Sequence, residues 1–186
     1  MPTRAYTVFM KELTEMSYAI VYSSQTGNTK QLAEAIRMAL PEEGCAYFGN
    51  PDEAALGCDC IYIGFWTDRG SCDKDTADFL KKITDQKVFL FGTAGFGGEQ
   101  AYYDRILRSA AKLLPASCSI IGSFLCQGRM PMSVRQRYEK MLKSPIKPPN
   151  LQSMIENFDK ALSHPDEADL AAAEAAALQA FHADAL

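Results

Sequence analysis

The chain has 186 residues, of which 47% are hydrophobic and 23% are charged, and its formal net charge is −4. These values are typical of a soluble globular protein that is large enough to bury one core. No apolar run reaches the roughly 18 residues of a membrane-spanning helix, and no basic block indicates nucleic-acid binding. We therefore expect neither a membrane nor a nucleic acid among its partners.

The first 15 residues lack the unbroken apolar stretch and the cleavage site of a secretory signal. We expect residues 1–16 to form an N-terminal extension, which is either disordered or the product of a misplaced start. The six cysteines include no CxxC pair, and several lie in or beside apolar runs, where a thiol behaves as a small hydrophobe. We interpret them as reduced structural residues of a cytoplasmic protein, with a redox or metal role as the alternative.

Apolar runs that stop at polar or glycine-bearing turns alternate with helical patterns along most of the chain. The predicted strands are residues 18–22, 45–48, 60–65, 87–91 and 119–125. The predicted helices between them are residues 29–40, 75–83 and 102–114. This alternation predicts an α/β fold, in which a parallel sheet with right-handed crossovers is covered by helices on both faces.

Three further helices are predicted after the last strand. Residues 134–142 form the first, and residues 151–162 carry an apolar side that suits docking on the sheet. Residues 163–186 form an alanine-rich C-terminal tail helix, for which Ser163 is the candidate cap. Because this helix has few large apolar side chains, we expect it to be marginally attached, with a partner-binding helix as the alternative. The predicted domain spans residues 17–162.

The loop between the first strand and the first helix is the candidate binding site, because ligands of an open parallel sheet bind beyond the carboxyl ends of its strands. Its N–H groups lie at a helix N-terminus, which favours an anion. The loop consists of Ser23, Ser24, Gln25, Thr26, Gly27, Asn28 and Thr29. Since it lacks Lys and Arg, we expect it to hold a phosphate through neutral donors and the helix dipole. The alternative is a polar turn that caps the helix.

Other phosphate-binding loops are excluded by their residues. A Walker A loop needs GxxxxGK[ST], but the glycine-rich run that begins at Gly92 is followed by Gly98 and Glu99, without a lysine. A GxGxxG fingerprint that begins at Gly95 would need glycine where Gln100 stands. No cysteine begins a CxxxxxR phosphatase loop.

The segment from residue 20 to residue 36 resembles the signature of the flavodoxin family, including the tyrosine before the loop and the alanine four residues after Thr29. The resemblance covers most of residues 17–162. It implies a flavodoxin-like, doubly wound five-stranded parallel sheet of strand order 2-1-3-4-5, with FMN as the cofactor. Gln25 stands where a hydroxyl residue is common in the electron carriers. The resemblance implies that the FMN phosphate is bound by Ser24, Thr26, Asn28 and Thr29.

The resemblance places the isoalloxazine ring over the loops after the third and fourth strands, where aromatic residues stack on it. Trp66 and Phe96 are the candidates for stacking, with Tyr102 and Tyr103 as alternatives to Phe96; a structural role is the alternative for both candidates. The expected cofactor-binding residues of the third-strand loop are Trp66, Thr67, Asp68, Arg69 and Gly70. Those of the fourth-strand loop are Thr93, Ala94, Gly95, Phe96 and Gly97.

Two residues of the third-strand loop are candidates for tuning the redox potential. A guanidinium such as that of Arg69, at about 8 Å from a reduced and anionic flavin, stabilises it by roughly 2 kcal/mol at an effective dielectric constant near 20. This energy corresponds to about 85 mV for one electron, at roughly 59 mV for a tenfold change. Gly70 is the candidate for the peptide that turns toward flavin N5.

A closer resemblance follows from the blocks GFWTDRGSCD, FGTAGFGG and CQGRMPMSVRQRYEKM. They are similar to a flavodoxin-like subfamily of anaerobic bacteria, some members of which accompany bilirubin-reducing flavoenzymes. The last block follows the fifth strand, so Gln127 and Gly128 are expected at the mouth of the site. We interpret Arg129, Arg135 and Arg137 as a solvated face or a partner patch.

The resemblance and the absence of a nicotinamide fingerprint favour an electron carrier between a reductase and a redox enzyme, with these two proteins as its partners. The first alternative is an NAD(P)H-dependent FMN or quinone reductase. It stays open because residues 16–159 carry as many basic as acidic side chains, whereas many flavodoxins use an acidic surface to reach their partners. The second alternative is a flavin-free interaction domain, because fold does not fix function.

Overall fold

The computed structural model of the protein describes residues 17–184, and within them it contains six strands and six helices. The strands are β1 (Tyr18–Tyr22), β2 (Cys45–Gly49), β3 (Cys60–Asp68), β4 (Ser71–Cys72), β5 (Lys87–Ala94) and β6 (Ser119–Gln127). The helices are α1 (Asn28–Ala39), α2 (Lys74–Leu80), α3 (Gln100–Ala111), α4 (Met132–Leu142), α5 (Leu151–Ala161) and α6 (Glu167–Asp184). The predicted N-terminal extension, residues 1–16, lies outside the described residues.

The long strands form a parallel sheet in the order β2-β1-β3-β5-β6, and β4 pairs with β3 off this path. Every neighbouring pair along the path is parallel, whereas β4 runs antiparallel to β3. The sequence prediction did not include β4, which has only two residues. The predicted fourth and fifth strands therefore correspond to β5 and β6. The predicted order 2-1-3-4-5 and the helices on both faces of the sheet are therefore confirmed.

Alternate side chains of the strands enter two cores, one on each face of the sheet, as the two-residue period of a strand requires. In β3, Ile61 and Ile63 pack with residues of α2 and α3. Cys60 and Tyr62 pack on the opposite face with residues of α1 and α6. Burial on both faces explains why these strands are continuous apolar runs in the sequence, and it leaves only the strand ends open to a ligand.

Four strands extend further than the sequence predicted, and the largest extensions are those of β3 and β5. β3 continues to Asp68 and β5 continues to Ala94. The last two residues of β3 extend because they pair with β4 in an antiparallel hairpin, and Trp66 then pairs with Thr93 of β5. The predicted third-strand loop is therefore a tight β-hairpin, and the fourth-strand loop begins only at Gly95.

The C-terminal helix α6 packs on the sheet, and the prediction that it is marginally attached is wrong. A Cβ atom at Gly122 of β6 would lie 3.2 Å from the Cβ atom of Ala180, so small residues on both sides let the two backbones approach. Close packing of this kind stabilises a helix even without many large side chains. The buried residues of α6, which share a core with α1 and the sheet, are Ala173, Ala177, Ala180 and Phe181.

The N-terminus of α6 is capped by two aspartates and not by Ser163. The Asp169 N–H donates to Asp166 Oδ1 at 2.9 Å, and the Asp166 N–H donates to Asp169 Oδ2 at 3.0 Å. These reciprocal bonds form a capping box. The hydroxyl of Ser163 donates instead to the carbonyl of Lys160.

Helices α4 and α5 form a separate hairpin, and the prediction that the second of them docks on the sheet is wrong. The two helices pack on each other through a small core of their own, because α6 already covers the sheet face beside α1. The Arg129 N–H donates to the carbonyl of His164 at 2.9 Å, and this bond joins the two ends of the segment that contains both helices. We call residues 129–161 the α4–α5 hairpin. Its buried core consists of Tyr138, Leu151, Ile155 and Phe158.

All six cysteines are free thiols. Burial raises the pKa of the Cys72 thiol and of the Cys126 thiol, which lowers the fraction of reactive thiolate. Within residues 17–184, no helix combines the length and the apolar character that are needed to cross a membrane.

Candidate functional site

A cavity of about 460 Å³ opens at the carboxyl ends of the central strands. Its walls come from the loop before α1, the ends of β3 and β5 with their turns, and the segment that follows β6. It is therefore located where the strand order of an open parallel sheet predicts a ligand. The predicted residues that line it are Gln25, Thr26, Asn28, Trp66, Thr67, Asp68, Arg69, Gly70, Thr93, Ala94, Gly95 and Phe96.

The remaining predicted site residues do not line this cavity. Ser23 and Ser24 line a neighbouring cavity of about 430 Å³, together with the carboxylates of Asp52, Asp75 and Asp78. Gly27 is the N-cap of α1. Thr29 is buried, with its hydroxyl 3.3 Å from the hydroxyl of Thr93. Gly97 lies under the side chain of Gln127.

The N-terminus of α1 is open to an anion. Gly27, its N-cap residue, has a φ of 84° and provides no side-chain cap. The first turn also contains no acidic residue. The hydroxyl of Ser24 accepts a hydrogen bond from the Lys30 N–H at 3.3 Å, which ties the loop to the helix. The positive end of the helix dipole is therefore available to a phosphate.

Two side chains of this loop donate to the chain that follows β6. The Asn28 amide Nδ2 donates to the carbonyl of Arg129 at 2.9 Å, and the Thr26 hydroxyl donates to the same carbonyl at 3.4 Å. The family resemblance implied that both side chains bind the phosphate. In this structure, however, their donors are already engaged by the carbonyl of Arg129. Asn28 is only 3% exposed, and its Oδ1 atom has no hydrogen-bond partner among the described residues. This buried acceptor fits a hydroxyl donor of a ligand.

Gly128 allows three elements to meet beside Asn28. A Cβ atom at Gly128 would lie 2.7 Å from Asn28 Nδ2, which is closer than real Cβ atoms come to a neighbour, and 3.0 Å from Thr93 Cβ, which is a very tight contact. The Gly128 N–H donates to the carbonyl of Ala94 at 2.9 Å, which continues the pairing of β6 with β5. The expectation that Gly128 lies at the site agrees with the structure, since Gly128 lines the cavity.

The β3–β4 hairpin presents one wall of the cavity through its two-residue turn. Arg69 has a φ of 48° and Gly70 has a φ of 84°, so both central residues are left-handed, as a type I′ turn requires. The sequence pattern of an Xaa-Gly pair between two short strands is a signal for this turn, although the predicted strand ended too early for it to be recognised.

A hydrogen-bonded network holds the fourth-strand loop, which forms another part of the cavity wall. The side chain of Asn157 in α5 accepts from the Gly97 N–H at 3.3 Å and donates to the Gly95 carbonyl at 2.9 Å. Gln127 donates to the same Gly95 carbonyl at 3.2 Å and to Asn157 Oδ1 at 3.0 Å. Met130 covers this loop as well, because a Cβ atom at Gly95 would lie 2.6 Å from Met130 Cγ.

Asn157 is a site residue that the sequence did not predict, and so are the residues by which the α4–α5 hairpin lines the cavity. No local pattern shows that a helix near residue 157 reaches back to a loop near residue 96. The block that begins at Cys126 was the available signal, since it pointed to the mouth of the site. The cavity-lining residues that come from the hairpin are Arg129, Met130, Pro131, Val134 and Arg137.

The cavity carries more positive than negative charge. Arg69, Arg129 and Arg137 line it, whereas Asp68 is the acidic side chain among its lining residues. Arg135 does not reach the cavity and pairs instead with Asp159 and Glu139. The predicted interpretation of Arg129 and Arg137 as a solvated face is therefore incomplete, because both are exposed and also border the site. Burial raises the pKa of the Tyr102 phenol, which keeps this lining residue neutral.

Comparison with known proteins identifies the family. The flavodoxin domain matches residues 19–178. The flavodoxin-like domain-containing protein BilS of Clostridium symbiosum (strain WAL-14163) is 45% identical, over 84% of this chain and 92% of that protein. The protein of the same name from Clostridioides difficile (strain CD3) is 32% identical, over 83% of this chain and 90% of that protein.

A solved structure agrees with this assignment at the level of the fold. Oxidised Flavodoxin 2 from Bacillus cereus matches with a TM-score of 0.52 and 17% sequence identity, over 90% of this chain and 99% of that chain. The chain therefore belongs to the flavodoxin domain family, and the predictions of a flavodoxin-like fold and of FMN as its cofactor are confirmed.

Proposed function

We propose that the protein is an electron carrier, which binds FMN in the 460 Å³ cavity and passes electrons between a reductase and a redox enzyme. The observation that carries the proposal is this cavity, which combines a helix N-terminus whose N-cap residue is a glycine with two aromatic side chains and a basic edge. When bound, FMN supplies both one-electron and two-electron chemistry. The chain's own residues bind the cofactor, orient it and set the charge around it.

The open N-terminus of α1 holds the FMN phosphate. Gly27 lets the backbone turn closely around the anion, and the N–H groups of the first helical turn donate to it. The hydroxyl of Ser24 braces the loop through its bond to the Lys30 N–H. Because the loop contains no Lys or Arg, the basic groups of the cavity come from other segments, and two of them, Arg129 and Arg137, lie on the α4–α5 hairpin.

The buried Oδ1 of Asn28 accepts from a hydroxyl of the ribityl chain, which satisfies an acceptor that otherwise lacks a partner. Trp66 on β3 is half-buried, and Phe96 is 41% exposed. Both line the cavity, and they would hold the isoalloxazine ring when FMN is bound. Large aromatic side chains exclude water there and favour stacked geometry.

A titration of the purified apoprotein with FMN tests the first half of the proposal. We expect FMN fluorescence to be quenched with a defined stoichiometry, and riboflavin, which lacks the phosphate, to bind more weakly. Equal affinity for both would contradict the role of the α1 N-terminus. No binding of either flavin would leave the second alternative from the sequence, a flavin-free interaction domain.

Turnover experiments test the second half. We expect the loaded protein to be reduced by dithionite, to transfer electrons to an added acceptor protein, and to oxidise NADPH only when a reductase is present. Rapid NADPH oxidation with a quinone and without any reductase would show that the protein is instead an NAD(P)H-dependent reductase.

A further inference from the structure

The α4–α5 hairpin carries a charge opposite to that of the rest of the chain. Residues 129–161 contain seven Lys and Arg residues and three Asp and Glu residues, a net charge of +4, so the remainder of the chain carries −8. Among residues 17–184, no carboxylate forms an ion pair with any of the six exposed basic side chains of the hairpin. These are Arg129, Arg137, Lys140, Lys143, Lys147 and Lys160.

This positive charge begins at the edge of the cavity. Arg129 and Arg137 line the cavity, and so does Arg69 at the tip of the β3–β4 hairpin. Lys140 lies three residues beyond Arg137 on α4, and side chains at this spacing are neighbours on a helix surface. Lys143 follows directly after the helix. The basic residues therefore extend from the cavity outward along α4.

Exposed apolar side chains occur on the same hairpin and at the cavity. Met132, at the start of α4, is 59% exposed, and Ile146, in the connection between α4 and α5, is 87% exposed. Phe96 is exposed at the cavity itself. Apolar groups surrounded by charged side chains are the usual composition of a protein–protein interface.

We propose that this surface, which we call the basic face and define by Arg137, Lys140, Lys143 and Ile146, docks an acidic surface of a redox partner protein. The inference rests on the proposed function, because it takes the cavity as the place where electrons enter and leave. Complementary charge steers two proteins to each other and fixes their orientation. Docking on α4 brings the partner to the cavity edge, where transfer over a short distance is possible.

The negative remainder of the chain favours a compact acidic protein over a nucleic acid as the occupant. A long polyanion that follows the hairpin also approaches the rest of the molecule, which carries −8, and is repelled there. A protein can present an acidic patch that is matched in size to the basic face and apolar groups that contact Met132 and Ile146.

Binding of fluorescent poly-L-glutamate, measured by anisotropy, tests the sign and place of the basic face without any need for bound flavin. We expect binding that weakens as salt rises, and a loss of about tenfold or more in affinity for the double variant Lys140→Glu/Lys143→Glu. The control is Arg108→Glu/Lys112→Glu. It changes the net charge equally, but at the end of α3 that precedes β6, away from the strand ends that form the cavity. Equal losses in both double variants would show that only net charge matters and would overturn the proposal.

Stopped-flow oxidation of the FMN-loaded, reduced protein adds a kinetic readout. Ferricyanide is an anion and hexaammineruthenium(III) is a cation; each accepts one electron, so two ions are consumed for each fully reduced flavin. We expect ferricyanide to react faster as salt falls, and this acceleration to disappear in Lys140→Glu/Lys143→Glu but not in the control. A faster reaction with the cation at low salt would overturn the proposal, and so would tighter binding of an oligonucleotide than of poly-L-glutamate at the same face. A colourless protein that does not bind FMN would instead refute the proposed function, and the anisotropy result would be independent of it.

Discussion

Asn157 offers the most direct test of how the α4–α5 hairpin supports the cofactor. In the variant Asn157→Ala, the fourth-strand loop loses the bond from the Gly97 N–H and the bond to the Gly95 carbonyl, and Gln127 loses one of its two acceptors. Each such bond contributes about 0.5–1.5 kcal/mol net. Because water replaces part of the loss at this half-exposed loop, we expect a loosening of about 2 kcal/mol.

The loosened loop must be ordered again when FMN binds, so the loss appears in the affinity. If the ordered loop loses about 2 kcal/mol of stability relative to its disordered states, the fraction of molecules that can bind FMN falls. The apparent affinity then falls by roughly 30-fold. The assay is fluorescence titration with FMN, with circular dichroism to show that the variant is folded. The matched control is Gln152→Ala on the same helix, whose side chain only donates to the exposed Glu156. If folded Asn157→Ala binds FMN within twofold of the natural protein, the loop does not depend on this network and the reasoning is refuted.

Three further outcomes follow from the structure. Phe181→Ala should lower the free energy of unfolding by about 3–5 kcal/mol, since Phe181 is buried; a urea midpoint that is unchanged would mean that α6 is not part of the cooperative core. Gly128→Ala should weaken FMN binding, because its Cβ would lie 2.7 Å from Asn28 Nδ2. The control Gly57→Ala, with no atom within 4 Å of its Cβ, should bind FMN as the natural protein does. Equal affinities of the two variants would contradict the close approach at Gly128. Arg69→Ala should lower the midpoint potential of bound FMN in an anaerobic redox titration, by at most about 85 mV and by less where solvent screens the charge, and an unchanged potential would exclude Arg69 from tuning.

The sheet was predictable because its central strands are buried on both faces. Runs such as Tyr18–Tyr22 must be apolar at every position in this setting, and the helices between them must be amphipathic. The loop before α1 was also predictable, because a phosphate-binding turn needs a glycine and small polar side chains at consecutive positions. These are local requirements, and local sequence carries them.

The remaining parts of the site depend on contacts between residues that are distant in the sequence. The bond from Asn28 to the carbonyl of Arg129 joins residues 101 positions apart, and Asn157 reaches a loop 60 positions away. The error on α6 has a different cause. The small side chains of an alanine-rich helix suggest weak packing on the sheet. Its attachment depends, however, on whether the facing strand also has a small residue, and in β6 that residue is Gly122.

The bond between Arg129 and His164 has a consequence for engineering the molecule. The chain leaves the sheet and returns to it at a single point, so the intervening helices could be exchanged for those of a relative without breaking a strand. Such a chimaera would keep the cavity residues that lie at the strand ends and would take the cavity residues of the α4–α5 hairpin from the relative. It would therefore separate what the sheet contributes to the cofactor from what the hairpin contributes to the choice of electron acceptor.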